Sequence, residues 1–252
     1  MRKLFVLLLA LPAVVLAGGL FVNGGFETGN FSAWTQGAGY WSGGAQPPAD
    51  YLPGGLRHDF GYWQGAITNP GADPIVGLAL NQVYAGNHSA RINNDYNDYS
   101  VGVIRQTVLN YTDPKIYFEW AAVLQESHDI SDSDNFTLTV RDDTTGNLIY
   151  NTSYSSANTP AIFNSVYRYG WDQWFYTNWQ VETLDVSALS GHDFTLSLLA
   201  SDCPYGGHAG YVYLDGFAAT VVPSGPAVPE PGTIALMVLG MGAILIGKFR
   251  KH

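Results

Sequence analysis

One short segment holds the chain's single cysteine together with a histidine five residues later. Asp202, Cys203 and His208, with the distant His128, are residue types that bind transition metals, and a Cys–His pair can also act as nucleophile and base. However, no second cysteine or histidine lies at the close spacing that is typical of zinc sites. We favour a shaped turn, in which Cys203 is a small buried filler and His208 bonds to the backbone. The ligand and nucleophile interpretations stay open as alternatives.

Tryptophan and tyrosine are concentrated in two regions, residues 40–63 and 167–179. Exposed aromatic rings can form the apolar walls of a ligand pocket, while a few polar groups orient the ligand. We predict Trp41, Trp63 and Trp171 as ligand-binding residues, because their Gly- and Asp-rich neighbours indicate loops. Burial in the core is the alternative for these three. Core positions are expected for Trp34, Trp120 and Trp179.

No catalytic constellation can be recognised. The acidic residues are scattered, so no carboxylate pair for glycoside hydrolysis can be chosen. The sequence contains no G-x-S-x-G, H-E-x-x-H, P-loop or EF-hand pattern. We therefore assign no catalytic residues and expect a non-enzymatic protein.

The composition indicates a secreted β protein rather than a helical bundle. Of 252 residues, 46% are hydrophobic and only 13% are charged, and there are 29 glycines. Between residues 18 and 229 there are 6 basic and 20 acidic residues, so this surface would repel nucleic acid. With one cysteine, the chain cannot form an intramolecular disulfide.

Period-2 segments separated by turn residues predict an antiparallel β-sandwich or jelly roll over residues 18–222. Residues 37–75 show no clear strand and are predicted as long loops. Asp142–Asn147 predicts a hairpin turn, with Gly146 at a positive φ. The predicted strands are Ser100–Leu109, Lys115–Leu124, Phe136–Arg141, Leu148–Tyr154, Trp174–Val186, Phe194–Ala200 and Tyr211–Val221.

Three segments resemble galactose-binding-like jelly rolls, which include several carbohydrate-binding module families. Asn23–Trp34 matches the pattern N-G-x-F-E-x-G-x-F-x-x-W of the first strand and loop. Gly86–Arg91 is similar to a G-x-x-S-A-R strand entry, and Tyr211–Asp215 to a terminal Y-x-x-D strand. The resemblance implies the fold more strongly than any ligand, because this fold has many functions.

The same resemblance implies a structural calcium ion where the first strand meets the last. Its carboxylate ligands would be Glu27 and Asp215, with backbone donors near Asn23 and Asn87–Ser89. Two carboxylates, carbonyls and water can together supply the six to eight oxygens that Ca²⁺ requires. The alternative is that Glu27 caps a turn and Asp215 is a solvated turn residue.

Both ends of the chain are read as targeting segments. Residues 1–17 have a basic start, an apolar run and a small-residue cleavage site, which predicts a secretory signal peptide. Residues 223–231 form a linker that ends in Val228, Pro229, Glu230 and Pro231. An apolar helix is predicted for 232–247, followed by a basic tail at 248–252.

This order of VPEP, apolar helix and basic end resembles the PEP-CTERM sorting signal, also called the ice-binding protein C-terminal domain. The resemblance implies an exosortase-type partner, transient anchoring in the inner membrane, and delivery to the surface of a Gram-negative bacterium.

The sequence as a whole predicts a secreted, surface-sorted and non-catalytic β-sandwich that binds matrix polysaccharide. The alternatives are a structural or adhesive matrix protein without a sugar pocket, and a small jelly-roll lyase or hydrolase. A cleft with two or more titratable groups would favour the enzyme, whereas an aromatic strip would favour the binding protein.

Overall fold

The computed structural model describes residues 20–129, 132–159 and 161–224. The predicted signal peptide, the sorting motif, the apolar helix and the basic tail all lie outside the described residues. Within the described part, no helix is long and apolar enough to cross a membrane. Helix α1 covers only Pro48–Tyr51, and two 3₁₀ turns cover Phe60–Tyr62 and Ser187–Leu189.

The described chain is an antiparallel β-sandwich, as the sequence predicts. Its fourteen strands, in chain order, are β1 Thr35–Tyr40, β2 Ala66–Thr68, β3 Ala72–Asp73, β4 Gly77–Asn81, β5 Ser89–Ile92, β6 Ser100–Tyr111, β7 Lys115–Gln125, β8 Asn135–Asp142, β9 Leu148–Ser155, β10 Phe163–Arg168, β11 Asp172–Thr177, β12 Gln180–Asp185, β13 His192–Ser201 and β14 Gly210–Ala218.

Two sheets form the layers. The first has five strands in the order β1-β6-β13-β8-β9. The second follows the path β10-β11-β7-β14-β5-β2, and β12 also pairs with β7. The small β3–β4 hairpin stands apart as a third sheet.

Alternation of side chains builds the main core between the sheets. In β8, Phe136, Leu138 and Val140 are buried while the residues between them are more exposed. In β7, Phe118 and Trp120 face the same core. Because successive strand residues point to opposite faces, the intervening positions of β7 lie on the outer face of the second sheet.

The structure differs from the sequence prediction in four places. Residues 23–34, whose pattern resembles a first strand and loop, contain turns, and the first strand begins at Thr35. The predicted strand Trp174–Val186 is two strands, β11 and β12, interrupted at residues 178–179. Strand β10 was not predicted, since its burial alternates weakly. Residues 37–75 are mostly loops, as predicted, but β1 extends to Tyr40 and two short strands lie within them.

Candidate functional site

The two carboxylates implied as calcium ligands lie near each other. A Cβ built on Gly25 would stand 3.5 Å from Asp215 Oδ1 and 3.8 Å from Glu27 Cγ. Asp215 is buried, and its Oδ2 accepts backbone N–H bonds from Tyr84 and Ala85, both at 3.1 Å. The Asp215 side chain therefore ties the last strand to the loop before β5.

The Glu27 side chain forms hydrogen bonds to the same loop. Its Oε1 accepts the backbone N–H groups of Asn87 at 2.9 Å and His88 at 3.0 Å. Gly86 has a positive φ, and a Cβ there would stand 2.3 Å from Glu27 Oε1. Glycine is therefore required next to the Glu27 carboxylate. Glu27 Oε2 accepts the backbone N–H and the side-chain amide of Asn87, both at 3.2 Å, so its acceptor sites are filled. Asp215 also accepts the Gly216 backbone N–H at 2.7 Å and retains an acceptor site, since an ionised carboxyl offers about four.

A third carboxylate, which the sequence analysis missed, lies beside Asp215. Glu119 of β7 is paired in register with Asp215 of β14 and is fully buried. Neither Glu119 carboxylate oxygen has a hydrogen-bond partner within the described structure. A Cβ on Gly216 would stand 1.7 Å from Glu119 Oε2, so the glycine makes room for this acid.

Burial governs the protonation of both acids. Burial, together with the smaller effect of the neighbouring Asp215 charge, raises the pKa of Glu119 to about 8. Burial also raises the pKa of Asp215, which stands at about 7 because backbone hydrogen bonds from Ala85, Gly216 and Tyr84 oppose the effect and Glu27 adds to it. A buried carboxylate without partners is costly, and a proton or a bound cation would remove that cost.

The three predicted ligand-binding tryptophans do not come together in one site. Trp41 is only 2% exposed and packs in a small cluster with Tyr51, Leu52 and three residues of the five-stranded sheet. The Trp41 ring has no solvent-exposed face on which a sugar could stack. Its indole N–H donates to the Gly44 carbonyl at 3.1 Å.

Trp63 and Trp171 have different surroundings. Trp63 is half-buried and stacks on Phe60, with ring centroids 5.7 Å apart and planes 8° apart. Trp171 is 77% exposed in the hairpin between β10 and β11. Tyr167 and Tyr169 of the same hairpin are also exposed. The expected core positions are confirmed for Trp34 and Trp120, while Trp179 is partly buried against the second core cluster.

A cleft of about 430 Å³ opens beside the five-stranded sheet. Asn135 and Thr137 line it from β8, alternating with the core residues Phe136 and Leu138, so it lies on the outer face of the sheet. The buried Gln46 Nε2 is without a hydrogen-bond partner in the described structure. The lining is Trp41, Gly44, Gln46, Asn135, Thr137, Ser153, Tyr154, Ser155 and Asn158.

The loop between β13 and β14 contains Cys203 and His208. Cys203 is buried and free, and the backbone N–H of Cys203 donates to the His208 carbonyl at 3.0 Å. The turn predicted by the sequence is therefore present. Burial alone would raise the pKa of Cys203, but hydrogen bonds from the His208 side chain and from backbone groups of Tyr205, His208 and Gly207 lower it to about 5.

The C-terminal sequence matches a known sorting signal. Residues 227–251 match the PEP-CTERM protein-sorting motif, which indicates an extracellular, surface-sorted protein that is processed by an exosortase. No curated protein sequence matches the chain.

Several solved structures are similar to most of the chain. The carbohydrate-binding module TmCBM61, solved with β-1,4-galactotriose, is 13% identical, with 80% of this chain and 97% of that one covered and a TM-score of 0.41. A non-crystalline cellulose-specific module, CBM28, is 11% identical, with coverage of 78% and 92% and a TM-score of 0.37. The K2 adhesin domain of Lys-gingipain is 12% identical, with coverage of 79% and 96% and a TM-score of 0.37.

Proposed function

We propose that this surface-sorted protein binds a polysaccharide of the extracellular matrix through the cleft on its five-stranded sheet, without catalysing a reaction. The observation that carries the proposal is the lining of that cleft. Amides and hydroxyls from Gln46, Asn135, Thr137 and Ser153 offer both donors and acceptors, and Trp41 contributes an apolar edge. This mixture suits the hydroxyl-rich, partly apolar surface of a sugar.

The same lining supports binding rather than hydrolysis. Among the described residues that surround the cleft, none carries a carboxylate or an imidazole. General acid–base chemistry on a glycosidic bond generally requires a pair of carboxyl groups. We infer that the cleft holds a saccharide and leaves it intact.

Trp171 would provide a second, separate contact. Its ring is 77% exposed, and on the same hairpin the Arg168 guanidinium lies 5.0 Å from the Tyr169 ring centroid. Exposed aromatic rings of this kind could stack on a sugar that extends beyond the cleft.

Glycan-array binding by the detergent-purified full-length protein tests the proposal. Ser153→Trp places a bulky ring in the cleft from an exposed strand position, and we expect at least about a tenfold loss of affinity, or 1.4 kcal/mol. Ser165→Trp makes the same change at an exposed position of β10 and should leave binding intact. Trp171→Ala should weaken binding with little change in melting temperature.

Two results would contradict the proposal. If the wild type binds no saccharide, the structural or adhesive matrix role replaces it. If the two serine variants lose affinity equally, the cleft is not the binding site.

We also propose that Ca²⁺ binds near the junction of β7 and β14, with Asp215 and Glu119 as carboxylate ligands and Glu27 beside them. The support is the pair of Glu119 oxygens, which are buried without partners next to Asp215. Hard carboxylate oxygens are the ligands that Ca²⁺ prefers, and a divalent cation would offset the repulsion between these acids.

A further inference from the structure

Three metal-binding side chains meet at one end of the sandwich. His128 follows β7, whereas Cys203 and His208 lie in the loop between β13 and β14, so residues 75 positions apart in the sequence converge. Each side chain offers one ligand atom, and the three atoms all lie within 4.8 Å of one another. Across residues 20–129, 132–159 and 161–224, this is the one such group of three.

The spacing of the three atoms suits a single metal ion. Cys203 Sγ lies 3.6 Å from His208 Nδ1 and 3.9 Å from His128 Nε2. Tetrahedral zinc with Zn–S of about 2.3 Å and Zn–N of about 2.0 Å holds sulfur and nitrogen about 3.5 Å apart. The two imidazole rings stand nearly perpendicular, with centroids 4.9 Å apart, so both nitrogens can approach one point. Small side-chain shifts would complete the coordination.

Cys203 Sγ faces one imidazole nitrogen from each of the two histidines, His208 Nδ1 and His128 Nε2. His208 Nδ1 also faces Ser127 Oγ at 3.0 Å, which gives that nitrogen two competing partners. A metal ion would use the lone pairs of Cys203, His128 and His208 together.

The surroundings favour a site that is fixed on one side and open on the other. Asn97 Nδ2 donates to Cys203 Sγ at 3.7 Å and also to the His208 carbonyl, which orients the loop. Deeper in the protein, the buried Asp134 keeps one carboxylate oxygen without a partner in the described structure. His128 is exposed, so a fourth coordination position can be reached from solvent.

We propose that His128, Cys203 and His208 form a three-ligand site for a borderline-soft divalent transition metal ion such as Zn²⁺, with water at the fourth position. Thiolate and imidazole ligands select this class of ion over Ca²⁺ and Mg²⁺. The three ligands do not belong to the lining of the saccharide cleft or to the acidic group around Asp215.

Metal titration of the full-length protein tests the proposal. We expect one Zn²⁺ per chain by calorimetry, and Co²⁺ in its place should give a thiolate charge-transfer absorption. Cys203→Ser should abolish that absorption. His128→Gln changes an exposed side chain and should weaken Zn²⁺ affinity at least about tenfold, as loss of a ligand should cost no less than loss of an outer-shell partner.

Matched variants test whether Zn²⁺ binds at this site or at histidines in general. His58→Gln alters a histidine that bonds to the Tyr51 carbonyl elsewhere in the fold, and it should keep full affinity. Ser127→Ala removes the competing hydrogen bond and should keep or increase it. In a competition experiment, Cu²⁺ should displace Zn²⁺ from the site, because Cu²⁺ binds such ligands more tightly.

The proposal is overturned if the wild type takes up no Zn²⁺. It is equally overturned if uptake is unchanged in both Cys203→Ser and His128→Gln, since the ion would then be bound elsewhere.

Discussion

Glu119 is fully buried, and neither of its carboxylate oxygens has a hydrogen-bond partner in the described structure, so a bound cation would affect the stability of the fold. If Ca²⁺ lies beside Glu119, adding Ca²⁺ at about 100 times its Kd should raise the free energy of unfolding by about 2.7 kcal/mol. Glu119→Gln should lose most of that increase, because an amide is a weaker ligand than a carboxylate. Melting curves with Ca²⁺ and with EDTA provide the measurement.

Asp134→Asn is the matched control, because Asp134 is another buried acid with an unpartnered oxygen but lies beside Gly210, the first residue of β14, rather than beside Asp215. Its calcium response should equal that of the wild type. If the wild-type melt is the same in Ca²⁺ and EDTA, Glu119 holds a proton and the calcium site is discarded.

Sequence patterns identify some of these residues and miss others for clear reasons. Asp215 and Glu27 could be named because they belong to a recognisable motif. Glu119 could not, since it lies within an apolar strand, and only the register of β7 against β14 places it opposite Asp215. The Gly-rich neighbours of Trp41 indicate a loop, but they do not show that this loop folds back and buries the ring on the sheet. Trp41 still lines the cleft, so its role in ligand binding stays a prediction.

The β8–β9 hairpin depends on one carboxylate. Asp142 Oδ1 accepts the backbone N–H groups of Thr144 and Thr145, at 3.0 and 3.2 Å. Its Oδ2 lies 2.9 Å from His192 Nδ1 of β13 and also accepts the Thr145 hydroxyl at 2.6 Å. Burial alone would raise the pKa of Asp142, but these hydrogen bonds outweigh it and hold the pKa below its ordinary 3.8.

A depressed pKa fixes the sign of the pH dependence. Asp142 contributes stability above pH 3.8, and this contribution is lost as the pH falls through the folded-state pKa. Asp142→Asn should therefore lower the free energy of unfolding by about 1–3 kcal/mol at pH 7 and reduce the loss of stability in acid. Urea unfolding at pH 7 and pH 3 would measure both effects.

Asp113→Asn, in the loop between β6 and β7, makes the same chemical change and should stay within about 0.5 kcal/mol of the wild type. Equal effects of the two substitutions would show that Asp142 has no special role in the hairpin.

Elements with strong local signals were predictable. The hairpin turn at 142–147 was expected from its residues, and Gly146 has φ 81° as expected. Strand β10 has no such signal, because it lies at the edge of its sheet and pairs with β11 alone. The interruption between β11 and β12 was also missed, since both segments pair with β7 and read as one long strand.

For the whole molecule, we expect the sandwich to remain in the mature protein and the C-terminal sorting segment to be removed. The described strands form one packed core between two sheets, which should persist outside the cell. The motif at 227–251 implies processing by an exosortase, so the C-terminal segment should be absent from the finished protein.

Mass spectrometry of the native surface fraction tests this separation. We expect abundant peptides from the sandwich and none C-terminal to Pro231, because cleavage at the sorting motif would remove the apolar run and the basic tail together. Total-cell extract from a strain that lacks the processing enzyme is the control, and there the tail peptides should reappear. If surface material retains intact tail peptides, the protein is held at the membrane by its C-terminus, and a cleaved, matrix-bound form is excluded.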